Sequence, residues 1–256
     1  MNKLNLIAYF TIVKTEAKRV LRIAPQTILP SVITTTLYYL IFGSIIGSRV
    51  GEMHGVPYMV YIAPGLIIMN IITNSYANVA MTFYQARFMG HIEEMLVSPM
   101  KGYTMLAGYV TGGVIRGIVI AFFVSAVSIF FTNISIYSYP LTLLVAILTS
   151  VLLSLFGFLN AMFARSFDDT SIVTTFILTP LSYLGGIFFS IDVLPDFWGK
   201  IALFNPILYL VDSFRYAVTG ITDINPYLSI AIISILCLVM FTINSILLQR
   251  GKGIRN

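Results

Sequence analysis

Long runs free of Asp, Glu, Lys and Arg dominate the chain. Six of them, at about 27–47, 58–81, 105–131, 139–163, 171–191 and 228–248, match the roughly 20 residues that a helix needs to cross a hydrocarbon core about 30 Å thick. The pattern predicts an all-α, polytopic membrane protein with six transmembrane helices. In residues 4–24, Leu6, Phe10, Val13, Ala17, Val20 and Ala24 recur at three and four, and Lys14, Lys18 and Arg22 form a separate stripe. That is the signature of an amphipathic helix at the membrane interface. Residues 192–220 are too polar to span and too apolar for a free loop. They read as two short re-entrant or interface helices before the last span, broken at Asn205-Pro206, with Trp198, Phe204, Tyr209, Phe214 and Tyr216 suited to the headgroup level.

Composition agrees: 58% of the 256 residues are hydrophobic, 10% are charged, and the mean hydropathy is +0.92. A soluble domain is excluded. Six spans put both termini on one side. Lys3, Lys14, Lys18, Arg19, Arg22, Arg87, Lys101, Arg165, Arg250, Lys252 and Arg255 then share that side, against Arg49, Lys200 and Arg215 on the other. The positive-inside rule therefore predicts cytoplasmic termini, and the net charge of +5 reflects topology rather than a nucleic-acid groove. Cys237 is the only cysteine, so no intrachain disulfide and no cysteine-based zinc cluster are expected. No cleavable signal peptide is expected either, because no A-x-A-like site follows the apolar run 4–13.

Polar residues inside the spans are few and patterned. Span 1 carries Pro25, Pro30, Thr27, Ser31, Thr34, Thr35 and Tyr38. Span 2 carries Asn70, Asn74 and Asn78, stacked on one helix face. Span 5 carries Thr175, Thr179 and Ser182. Such ladders either hydrogen-bond neighbouring helices or line a path for a partly polar solute, and Thr34, Tyr38, Asn70, Asn74, Asn78, Thr175 and Thr179 are the candidates for that path. Arg116 is the only charge well inside a run and has no partner legible in the sequence. Arg165 and Asp169 can pair across the turn between spans 4 and 5.

All ten acids, Glu16 included, fall outside the six cores, which argues against proton coupling within this chain. His54 and His91 are assigned to opposite sides of the membrane and cannot form a dyad, so no catalytic residue is expected. No G-x-x-x-x-G-K-[ST] phosphate loop occurs, so energy for uphill movement must come from another subunit.

The charged stretch RFMGHIEEMLVSP, residues 87–99, interrupts two apolar runs. On a helix over 84–98, Phe88, Ile92, Met95 and Leu96 form an apolar stripe, with Arg87, His91 and Glu94 opposite and Glu93 at the margin. A metal site would need a third ligand, which is not visible, so no metal is expected. A short amphipathic helix inserting into a cleft on a partner accounts for both faces.

Two stretches together resemble a known family. Leu194-Pro195, ten residues, Pro206-Ile207-Leu208-Tyr209, five residues and Arg215 follow the pattern before the last span in type 2 permeases of bacterial ATP-binding-cassette (ABC) exporters, and HIEEML (91–96) resembles that family's loop between spans 2 and 3. GSRVGEMHG (47–55), PGLIIMNIITNSYANVA (64–80), FDD (167–169), LTPLSYLGGIF (178–188) and the terminal QRGKGIR (249–255) extend the similarity along the chain. His91 stands where Asn would be expected. The resemblance implies a single permease domain over 1–256. It also implies a cytoplasmic coupling helix between spans 2 and 3, with Arg87, Phe88, His91, Ile92, Glu93, Glu94, Met95 and Leu96 as its contact residues, and an outer motif of Pro195, Pro206, Tyr209 and Arg215. It implies a homodimer in a bacterial inner membrane, docked on two copies of a separate ABC ATPase subunit. ATP and Mg would act through that partner, no cofactor would be bound by this chain, and amphiphiles, lipid-linked glycans among them, would be the cargo.

Overall fold

The computed structural model describes residues 3–251. Lys252 and Arg255, and with them the end of the QRGKGIR stretch, lie outside the described residues. Helix α1 covers Lys3–Arg22 and α2 covers Ala24–Val50, the latter widening to π-helical turns over Tyr39–Ile46. A two-residue hairpin follows, β1 (Glu52–Met53) antiparallel to β2 (Val56–Pro57), a small exception to the all-α expectation. Then come α3 (Tyr58–Phe88), α4 (His91–Val97), α5 (Gly102–Phe131) and α6 (Tyr139–Phe163). Helix α7 occupies 167–184, α8 Asp196–Ala202, α9 Pro206–Thr219 and α10 Pro226–Gln249.

Among the described residues five helices are long and apolar enough to cross a membrane: Ala24–Val50, Tyr58–Phe88, Gly102–Phe131, Tyr139–Phe163 and Pro226–Gln249. The expected fifth span, 171–191, is instead the segmented α7. Its middle turn, Thr174–Leu178, is π-helical, and Pro180 follows after Thr179. Proline lacks an N–H and crowds the carbonyl four residues back, and a widened turn relieves that crowding. The Thr179 hydroxyl donates to Thr174 O at 2.9 Å, occupying one of the carbonyls of the widened turn. Eighteen helical residues rise about 27 Å. The segment nonetheless runs from one end of the bundle to the other. Phe167 packs its ring on Tyr84 and Phe88, at the last turns of α3, whereas Phe188 O accepts from Tyr58 Oη at 2.8 Å, at the first turn of α3.

Helix α3 is the centre of the bundle: 72% of its apolar window is buried, against 22–56% for those of α2, α5, α6 and α10. It is wrapped by α5, α6 and α9, and its closest neighbour is α6. A Cβ placed on Gly157 of α6 would lie 2.5 Å from Tyr76 O and 3.2 Å from Ala80 N, so the two backbones touch there. Backbone groups cannot step aside as a flexible side chain would.

The interface helix departs from its predicted faces. The buried stripe of α1 is Asn5, Ile12, Glu16 and Val20, while Leu6 and Phe10 of the predicted apolar stripe face outward with Leu4 and Ile7. Ile12 seats over Gly108 and Glu16 over Gly112, so α1 lies lengthwise along the start of α5. The predicted helix 84–98 is also two helices. Gly90 takes φ +77°, a left-handed conformation that only glycine adopts without strain, and it ends α3 and starts α4. Arg87 and Phe88 therefore belong to the long central helix.

Gly157→Val should place branched carbons against the α3 backbone and destabilise the chain by about 3 kcal/mol, the upper part of the usual cost of overpacking. Thermal unfolding of the purified chain in detergent measures it, with Gly199→Ala, where an added Cβ meets nothing within 4 Å, as the neutral control.

Candidate functional site

The Asn ladder of α3 is occupied by its neighbours. Asn70 Nδ2 donates to Thr35 Oγ1 at 3.1 Å, and Asn74 Nδ2 to Ser31 Oγ at 3.2 Å, which joins α3 to the polar face of α2. Arg116, without a legible partner in the sequence, donates to Asn74 Oδ1 at 3.2 Å and Asn78 Oδ1 at 3.4 Å. Asn78 Oδ1 also accepts from Arg19 of α1 at 2.8 Å, and the same Arg19 nitrogen reaches Glu16 Oε2 at 2.7 Å and Thr82 Oγ1 at 3.1 Å. Glu16 is thus a buried acid, and Arg19, which lies outside the predicted Lys14, Lys18 and Arg22 stripe, turns toward α3. The remaining path candidates lie apart from this network. Thr34 and Thr175 are exposed and Thr179 is partly so, while Tyr38 Oη meets Tyr183 Oη at 3.3 Å.

At the end of the bundle that holds α4, Ile92 is buried and Met95 half-buried. His91, Glu93, Glu94, Leu96 and Val97 are exposed. The predicted apolar stripe is therefore divided: Ile92 anchors the helix to the bundle, and Phe88, 69% exposed, and Leu96 face outward. Arg87 does not face solvent with His91 and Glu94. Its guanidinium donates to Met162 O and Ala164 O, capping the carbonyl end of α6, where a cation also meets the negative end of the helix dipole. Beside it the expected Arg165–Asp169 pairing takes a backbone form. Asp169 Oδ2 accepts the N–H groups of Arg165 (2.7 Å) and Ser166 (3.1 Å), and Ser166 Oγ accepts from Asp169 N, a capping box at the start of α7. These hydrogen bonds, that of the Arg165 N–H first, hold the Asp169 carboxyl below the usual range.

At the opposite end the outer motif is a set of turn and packing devices. Pro195 precedes α8 and Pro206 opens α9, where its missing N–H costs nothing. Asn205 Oδ1 accepts from Ile207 N and its Nδ2 donates to Leu181 O at 2.6 Å, while Tyr209 Oη donates to Leu203 O at 2.7 Å. Arg215 is 1% exposed. It donates to Gly186 O, lies 4.0 Å over the Tyr61 ring and stands 3.8 Å from Asp223 Oδ2. Tyr61, Asp212 and Asp223 were not singled out from the sequence: Asp212 Oδ1 accepts from Asp223 N at 2.8 Å and fixes the loop that carries Asp223. His54, on the hairpin and at the opposite end from His91, reaches Asp223 Oδ1 at 3.4 Å. His54, Asp192 and Asp223 bring one ligand atom each within 4.8 Å of one another, a grouping that no spacing in the sequence announces.

A helical bundle with buried amide–guanidinium contacts, several membrane-length helices and an exposed amphipathic helix at the Lys- and Arg-rich end defines the protein as a multi-pass membrane protein. Residues 7–219 match the family model of the ABC-2 type transporter, and the chain belongs to that family. It is 46% identical to the inner membrane transport permease YadH of Escherichia coli strain K12 over 256 residues, covering 100% of both chains. It is also 27% identical to nodulation protein J of Rhizobium leguminosarum bv. viciae over 237 residues, 89% of this chain and 88% of that protein. The chain is accordingly a membrane permease subunit of an ABC transporter, a system whose ATPase is a separate subunit.

Arg215→Ala should leave the Asp223 carboxylate buried without its countercharge and cost about 3–5 kcal/mol. Melting in detergent reads this, and Asp223→Asn should recover part of the loss in the Arg215→Ala background.

Proposed function

We propose that the chain is the permease of a bacterial inner-membrane exporter that works as a homodimer on two copies of an ABC ATPase, with α4 as the coupling helix. The observation that carries this reading is the split surface of α4. Glu93, Glu94, Leu96 and Val97 stand exposed on a helix that Ile92 holds to the bundle, and Phe88 continues the exposed apolar patch. An amphipathic helix presenting acids and large apolar groups fits a cleft with cations at its rim. Beside it opens a cavity of about 340 Å³ lined by Thr15, Glu16, Thr82, Gln85, His91 and Glu94, among others, which leaves α4 room to shift against α1.

This reading takes six crossings, with α7 as the additional one because it joins the two ends of the bundle. With six crossings the Lys- and Arg-rich end, which carries α1 and α4, is cytoplasmic. Leu4, Leu6, Ile7 and Phe10 of α1 then meet acyl chains while Glu16 and Arg19 face the protein. ATP and Mg act in the partner. ATP binding draws the two ATPases together, α4 moves with them, and the change biases the permease between inward- and outward-open packings. Thr34, Tyr38, Thr175 and Thr179, on the faces of α2 and α7 that the chain leaves uncovered, line the route against the second copy, with Asn70, Asn74 and Asn78 one layer behind. Residues Pro195–Gly220 close its outer end. The cargo is an amphiphile, of lipid or glycan type, released from the cytoplasm or inner leaflet.

Glu93→Lys and Glu94→Lys should leave the amount of protein in the membrane unchanged and reduce stimulated ATP hydrolysis and export at least tenfold. Copurification with the ATPase and turnover in proteoliposomes measure both. Full ATPase activity and export in both variants would remove α4 from the coupling role.

A further inference from the structure

Two guanidiniums meet inside this protein on one amide oxygen, with one carboxylate beside the first. Arg19 and Arg116 both donate to Asn78 Oδ1, at 2.8 and 3.4 Å. Among the described residues the only ion pair that either forms is Arg19–Glu16, so the group carries one uncompensated positive charge. Further donors there lack acceptors: Arg19 Nε, Arg116 Nε and Asn78 Nδ2 are buried without a hydrogen-bond partner. A buried cation without a counterion is costly, and unfilled donors add to that cost. The group is not sealed, because the Arg19 side chain is 20% exposed and Arg116 is partly exposed.

Its depth selects the counterion. Counting about 20 residues back from Phe131 along α5, or on from Tyr58 along α3, places the inner edge of the hydrocarbon near residues 111 and 78 respectively. Asn78 therefore lies at that edge and Arg116 about five residues inside it, with a side chain long enough to snorkel back toward Asn78 and the headgroup side. Arginine's planar fork matches the oxygens of a phosphate ester better than it matches a halide.

We propose that the Arg19–Arg116–Asn78 group binds the phosphate of an anionic phospholipid from the inner leaflet, one per chain. The proposal rests on the membrane orientation given above and not on coupling to an ATPase. A bound phosphate would complete the charge balance between α1, α3 and α5. The same chemistry would accept free inorganic phosphate, so the test separates the two.

Native mass spectrometry of the purified full chain in detergent, titrated with phosphatidylglycerol, with diacylglycerol and with inorganic phosphate, reads the site without transport or partner. The wild-type chain should retain one phosphatidylglycerol at least tenfold more tightly than diacylglycerol. Arg116→Gln and Arg19→Gln should each lose that preference, and Arg116→Lys should keep part of it. Binding of inorganic phosphate alone, lost in Arg116→Gln, supports the anion site and assigns it to free phosphate. Equal retention of phosphatidylglycerol and diacylglycerol by the wild type, with no phosphate bound, overturns the proposal whatever the variants do. So does an unchanged preference in both glutamine variants.

Discussion

The close approach of α3 and α6 sets the terms for everything else in the molecule. Where Gly157 brings the α6 backbone against Tyr76 O and Ala80 N, no side chain intervenes, and the central helix is enclosed by protein over most of its length. In water such burial would be driven by the hydrophobic effect. Between lipid tails, which are as apolar as leucine, packing and interhelical hydrogen bonds must hold the helices together. Small residues at the contacts and polar residues along α3 are therefore two parts of one solution. The backbones approach where nothing protrudes, and Asn70, Asn74 and Asn78 bond across wherever a neighbour carries a hydroxyl or guanidinium.

The same enclosure explains why charge is distributed as it is. Arg87 and Arg215 sit near opposite ends of the bundle, and each ends on backbone carbonyls: Met162 and Ala164 for the first, Gly186 for the second. Each cation thus satisfies acceptors that a helix end or a tight turn leaves open, and each locks a neighbouring element in place. Arg116 differs. Among the described residues it finds amide oxygens, which are dipoles and not counterions, so its charge is solvated but not neutralised. That difference separates a structural clamp from a group with capacity for a ligand.

Much of the architecture was legible because a membrane imposes length and polarity on a helix. The apolar runs placed the five long helices. What the runs could not report was backbone geometry. The 171–191 run has the composition of a span, yet Pro180 forces a widened turn before it, and Gly90 divides a stretch whose apolar positions fit one continuous helix. Partners far apart in sequence were equally hidden: nothing near Arg116 pointed to Asn74 and Asn78 some forty residues earlier, and nothing near His54 pointed to Asp223. The period of a stripe also failed to say which stripe meets protein. In α1 the side that packs on α5 carries Asn5 and Glu16, because Gly112 leaves room for Glu16 and Asn5 Oδ1 accepts the Lys101 N–H, and the more apolar side is left outward.

These details bear on how a push on α4 would travel. A seven-residue helix joined to α3 through Gly90 could swing freely about that hinge and transmit nothing. Ile92, fully enclosed, prevents this by anchoring α4 in the buried core of the bundle. Arg87, one turn before the hinge, ties α3 to the end of α6, and Phe88 packs on Phe167 at the start of α7. Displacing α4 therefore loads α6 and α7 through the end of α3. Because α3 meets α6 backbone to backbone at Gly157, local repacking there cannot absorb the load, and the two helices must shift together, as a change between two alternative packings of one bundle would require.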